Sequence, residues 1–118
     1  MKFARLVAAL PIALLVGCAT LGPITGVSVR DANFQVVKVL SPAELVDFTR
    51  LWENKQEVQA SLNSVEGQHF KVDITRQQSS ARWLYQTTGY AQYLDPLAQP
   101  VYKLQEPEAF NRLIGVKK

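Results

Sequence analysis

Cys18 is the only cysteine in the chain, so no disulfide can staple the fold and its stability has to come from packing alone. The 118 residues make one domain and leave no room for a second. About 100 residues behind that cysteine are enough to bury a core. The question is therefore how the apolar residues are spaced.

Val27 to Leu40 is rich in β-branched residues, and Phe34-Gln35-Val36-Val37-Lys38-Val39-Leu40 is its strongest strand signal. The Val36-Val37 pair breaks strict alternation, which predicts a strand covered on both faces or one carrying a bulge. Ser41-Pro42-Ala43-Glu44 is a helix start, with Ser41 as cap, Pro42 in the first helical position and Glu44 completing a capping box. Leu45, Phe48, Leu51 and Trp52 then form one apolar stripe, and the helix is expected to reach Lys55 or as far as Val58. Gln59 to Gln68 is polar and reads as a loop.

Phe70-Lys71-Val72-Asp73-Ile74-Thr75 alternates, placing Phe70, Val72 and Ile74 on one face. After a turn at Gln77-Gln78-Ser79-Ser80, Ala81–Gln86 and Tyr90–Leu94 form a hairpin across Thr87-Thr88-Gly89. Neither threonine suits the positive φ of a two-residue type I′ turn, so a type I turn with Gly89 at positive φ is expected. That register sets Trp83 opposite Tyr93 and Tyr85 opposite Ala91 on one face. Arg82, Leu84, Tyr90, Gln92 and Leu94 fall on the other. Asp95-Pro96 and Gln99-Pro100 bracket a loop, Val101–Leu104 is a short strand, and Glu106-Pro107-Glu108 opens a last helix. Phe110, Leu113 and Ile114 face inward along it, Gly115 stops it, and Lys117-Lys118 form a basic end. The class is α+β, an antiparallel sheet of four to five strands with two helices packed on one face.

The first residues obey a different logic. Met1 to Arg5 is short and positively charged, and Leu6 to Val16 is apolar except for Pro11, too short for a permanent membrane span of about 20 residues. Leu15-Val16-Gly17-Cys18, directly behind that run, resembles the lipobox of bacterial lipoproteins. The resemblance implies a diacylglyceryl group on the Cys18 thiol, cleavage before Cys18 and, usually, acylation of the new amino terminus. It divides the chain into a signal peptide (1–17), a lipidated cysteine with a tether (18–26) and one α+β domain (27–118). The bilayer is then a partner through the acyl chains, each buried methylene adding about 0.8 kcal/mol. In a Gram-negative cell, Ala19 in place of an Asp implies the outer membrane, facing the periplasm.

Loss of Lys2 and Arg5 with the signal reduces 13 basic side chains to 11 against 10 acidic ones, a net charge of +1. A domain so nearly neutral has no electrostatic footprint for nucleic acid. Catalytic chemistry is thinly provided for. His69 is the only histidine, Ser61, Ser64, Ser79 and Ser80 sit in no nucleophile motif, and His69 is read as the start of a strand. One histidine, no available cysteine and scattered carboxylates make no metal set, and no cofactor motif is present. Glu106 and Glu108 belong to a helix's first turn.

The aromatic residues are more informative. Trp83, Tyr85, Tyr90, Tyr93 and Tyr102 crowd the second half of the chain. Trp83, Tyr85 and Tyr93 are expected to build the core with Phe48, Trp52 and Phe110. The opposite hairpin face, with Arg82, Leu84, Tyr90 and Leu94, then has no evident cover and is the candidate protein contact. The expected function is that of a membrane-anchored, non-catalytic envelope lipoprotein that binds another envelope protein or joins an assembly. The alternative is an inhibitor of a periplasmic hydrolase such as a lysozyme or protease, acting through the Gln59–Gln68 or Asp95–Pro100 loop.

Overall fold

Seven strands hydrogen-bond into one antiparallel sheet, and two helices lie against it, in a computed structural model that describes residues 22–62, 67–77, 79–94 and 99–116. The lipobox with Cys18, parts of the two loops and the Lys117-Lys118 end lie outside the described residues. In chain order the elements are β1 (Ile24–Arg30), β2 (Val36–Val39), α1 (Pro42–Glu53), β3 (Gln56–Val58), β4 (His69–Arg76), β5 (Ser79–Gln86), β6 (Tyr90–Tyr93), β7 (Val101–Lys103) and α2 (Pro107–Ile114). Across the sheet the order is β2-β1-β4-β5-β6-β7-β3. The α+β class holds, but the expectation of four to five strands is too low. Among the described residues no helix is long and apolar enough to cross a membrane.

The added strands come from segments without a strong strand pattern. Ile24–Gly26, assigned by composition to the tether, pairs with the end of β4 and begins β1. Gln56–Val58, expected as helix or loop, pairs with β7 as β3. Helix α1 stops at Glu53, with Asn54 as its C-cap. The topology accounts for its early end. The segment between β2 and β3 must run from one sheet edge to the other, a width of roughly 29 Å for seven strands about 4.8 Å apart. Twelve helical residues rise about 18 Å, and Leu40, Ser41, Asn54 and Lys55 link them to the two strands.

The start of α1 is built as its sequence dictates. Ser41 Oγ accepts from the Glu44 backbone N–H at 3.2 Å, and Glu44 Oε1 accepts from the Ser41 N–H at 2.8 Å. The Ser41 N–H and Lys38, whose Nζ lies 2.9 Å from Glu44 Oε2, hold that carboxyl below the usual carboxylate range.

The hairpin register is the expected one: Trp83 opposes Tyr93 and Tyr85 opposes Ala91. Gly89 turns the chain at φ +108, and a Cβ there would lie 2.9 Å from Pro107 Cβ, so the hairpin tip seats directly beneath the start of α2. Trp83 and Tyr85 face the helices. Trp52 meets Trp83 edge-on at 4.9 Å, Phe48 stacks on Trp52 at 5.6 Å, and Phe110 meets Tyr85 at 4.8 Å and Phe48 at 5.3 Å. These rings, with Val29, Val72, Leu104 and Ile114, form the core.

One polar network crosses that core. The buried Tyr85 hydroxyl donates to Asn111 Oδ1 at 2.5 Å, and Asn111 Nδ2 donates to the Thr87 carbonyl at 2.8 Å. The sequence placed no polar residue on the inner face of α2; Asn111 is there because the hairpin needs a partner. Asn111→Ala leaves the Tyr85 hydroxyl and the Thr87 carbonyl unpaired and is expected to cost about 2–4 kcal/mol in urea unfolding. Tyr85→Phe orphans only one acceptor, and its expected cost is about 1–2 kcal/mol. The double variant should lose less than the two costs added, because the second change removes a group the first had stranded.

Candidate functional site

The sheet has a second face, turned away from both helices, and β2 defines its edge. Val29 pairs with Lys38 while Arg30 pairs with Val36, so Val37 is an extra residue in β2. The bulge anticipated at Val36-Val37 is present; cover on both faces is not, since Val36 and Val37 are both exposed. The bulge has a consequence for register. Val36 sits opposite Arg30 and Val39 opposite Ser28, so two valines three positions apart share the outer face, and Val39 is 66% exposed. A strand with this β-branched content is usually interior, but here it is the sheet edge.

The β1–β2 turn adds an aromatic ring. Asp31 organises it, its Oδ1 accepting from the backbone N–H groups of Asn33 and Gln35. Phe34 follows at φ +63, a left-handed conformation rarely tolerated by a large side chain and costing of order 1–3 kcal/mol. This geometry lays the Phe34 ring, still 49% exposed, on the outer face with Lys71 Nζ 4.6 Å and Arg82 Cζ 5.4 Å from its centroid.

Beside it is a three-residue ion cluster. Arg82 grips Asp73 with two bonds, Nε to Oδ1 at 2.6 Å and Nη2 to Oδ2 at 3.0 Å, and Arg30 Nε reaches Oδ2 at 3.2 Å. The Arg82 bond first, and Arg30 after it, hold the Asp73 carboxyl below the usual range. With Lys71 the cluster carries three cations against one carboxylate, a charge of +2.

Arg82, Leu84, Tyr90 and Leu94 all fall on this outer face, as their alternation requires. Arg82 lies opposite Leu94, whose N–H donates to the Arg82 carbonyl at 2.9 Å, and Leu84 is next on β5. Tyr90 is set apart at the far end, beside Lys103. That end is not bare. Leu62 is buried there, and the fully buried Gln86 donates through Nε2 to the Leu62 carbonyl at 3.0 Å. His69 opens β4 as expected, with Nε2 2.7 Å from Gln86 Nε2. Alternation in the sequence therefore places Arg82, Leu84 and Leu94 on this face, and the structure adds Phe34, Val36 and Val39 to it. The broken alternation at Val36-Val37 was the available signal.

A second feature lies on the helix side. Moving along β5 from Tyr85 to Trp83 to Ala81, the cover changes from Phe110 to Trp52 and then ends, because α1 stops at Glu53. A cavity of about 440 Å³ opens there, floored by Ile74 and Ala81 and walled by Trp52, Trp83, Tyr93 and Tyr102. Lys55, just past the helix, directs its ammonium into this ring cluster, 4.4 Å from the Trp52 centroid, 5.0 Å from Trp83 and 5.4 Å from Tyr102. Its Nζ also donates to the Trp52 carbonyl at 3.4 Å. Arg76 and Glu53 pair at 3.6 Å at the rim.

Compared with known protein families, with curated proteins and with solved structures, the chain matches none.

Burial draws the Lys55 ammonium down to about 8; Arg76 adds to the shift and Glu53 opposes it. An unfolded lysine titrates near 10.4. Between about pH 8 and 10.4 the unfolded chain therefore holds a proton that the folded one has released, so Lys55 makes stability rise with pH across that window. Burial raises Tyr85 above the ordinary tyrosine value, so the folded phenol keeps its proton where the unfolded one loses it, and stability falls above about pH 10. Urea midpoints measured from pH 7 to 10 should rise for the native chain relative to Lys55→Met; parallel curves would show that the amine is not desolvated.

Proposed function

We propose that this chain is a lipid-anchored, non-catalytic envelope lipoprotein that binds another envelope protein through the outer face of its sheet. The observation that carries the reading is that face itself. Phe34, Val36, Val39 and Leu94 are exposed around the cationic Arg30–Asp73–Arg82 cluster and Lys71. An apolar patch with arginines fixed at its centre has the composition of a protein contact surface, and its positive charge suits an acidic, apolar epitope. Phe34 adds a second support, since a strained aromatic held half out of the fold is a stability cost that binding would offset.

The anchoring half of the reading rests on the lipobox resemblance at Cys18. It fits the fold in one respect. Arg76 Nη1 donates to the Gly22 carbonyl at 2.7 Å, which fixes the chain to the sheet only four residues after Cys18. An acylated Cys18 would hold the domain within about 14 Å of the bilayer.

Two expected outcomes test the reading. Cys18→Ser should lose all lipid mass by mass spectrometry of the membrane-extracted protein, and a lipid adduct surviving on that variant would refute the anchor. Phe34→Gly relieves the left-handed strain and should leave the unfolding midpoint equal or higher, while weakening capture of a stoichiometric envelope partner at least tenfold. Capture undiminished by Phe34→Gly together with Leu84→Ala would remove the outer face from the mechanism.

A further inference from the structure

The aromatic cavity is on the opposite side of the sheet from the proposed protein contact, and its chemistry is different. Its walls are four rings, its floor is Ile74 and Ala81, and its volume of about 440 Å³ lies within the range of small-molecule sites. Its charges are unevenly matched. Glu53 pairs with Arg76 at the rim, whereas Lys55 has no ion pair among the described residues, although its ammonium is largely withdrawn from water. The rings already surround one cation, so a cationic ligand would meet both a filled cage and a like charge. A neutral apolar ligand would fill the space and leave the ammonium unmatched.

From this arrangement of rings and cations we infer that the cavity is a binding site for a small amphipathic carboxylate. The apolar body lies on Ala81 and Ile74 between Trp83, Tyr93 and Tyr102, and the carboxylate meets Lys55, with Arg76 behind it. Ala81 is the specificity element, because a larger residue at that position of β5 would occupy the space the ligand's body needs. A bound carboxylate supplies an ion-pair partner that Lys55 has from no described residue and favours its protonated form.

Trp52 and Trp83 are the only tryptophans in the chain and both line the cavity, so tryptophan emission reports on this site alone. The test uses the full chain carrying Cys18→Ser, which removes the acyl chains, titrated with 4-phenylbutyrate, 4-phenylbutan-1-ol and 4-phenylbutylamine across the millimolar range. The carboxylate should give a saturable change at least tenfold tighter than the alcohol, and the amine none. Lys55→Met should bring the carboxylate to the level of the alcohol while leaving the alcohol's binding intact. Ala81→Phe should abolish both. A carboxylate no tighter than the alcohol or the amine, or unaffected by Lys55→Met, overturns the inference, as does the absence of any saturable change in the folded protein. Should Ala81→Phe fail to fold, the Lys55→Met comparison decides alone.

Discussion

The packed rings of Phe48, Trp52, Phe110, Tyr85 and Trp83 join the two layers, and the rest of the structure follows from how far they extend. With no disulfide available, the sheet is held to the helices mainly by this packing, with the Tyr85–Asn111 and Asn111–Thr87 hydrogen bonds and the Lys38–Glu44 ion pair beside it. The helices are short, twelve residues in α1 and eight in α2, and they must cover seven strands. Large flat side chains let short helices close most of one face, since each ring buries far more area than an aliphatic residue. They do not close all of it. Where α1 ends, Trp52 is the last ring, and the cavity around Lys55 begins. Among the described residues no helix covers the outer face, and Leu62 lies over one end of it.

Both candidate surfaces are thus places where the cover runs out, yet each carries a feature that packing alone does not require. On the outer face it is Phe34, held at positive φ so that its ring lies over Lys71 and Arg82. In the cavity it is a lysine surrounded by rings, which an apolar residue would fill more stably. Local strain and a desolvated charge are features that persist where something else offsets them.

The sequence revealed what is decided locally. The capping box at Ser41 and Glu44, the hairpin register around Gly89 and the Gly115 stop of α2 depend on residues close in the chain, and each was legible. The Ile24–Gly26 start of β1, its separation from β2 and the whole of β3 were not. Ile24–Gly26 is a strand because Thr75 and Arg76 lie beside it, and Gln56–Val58 because Val101–Lys103 does, pairings that span more than forty residues. The outward-facing side of the hairpin was read correctly because alternation fixes it. That Phe34, Val36 and Val39 join it is hidden, because strong β-branched content suggests burial, whereas here it belongs to an edge strand with a bulge at Val37. Lys55 was hidden for a related reason. The apolar periodicity puts it in the last turn of a helix, and only the early stop at Glu53 turns it into the cavity.

Under the proposed function a protein partner covers the outer face in the membrane. If Cys18 is acylated as proposed, Val39→Cys provides the chain's single free thiol at an exposed outer-face position. Maleimide labelling of this variant is compared in intact membranes and after purification in mild detergent. The thiol should be protected in membranes and fully labelled once purified. Equal labelling in both would show that nothing covers this face and would contradict the proposed function.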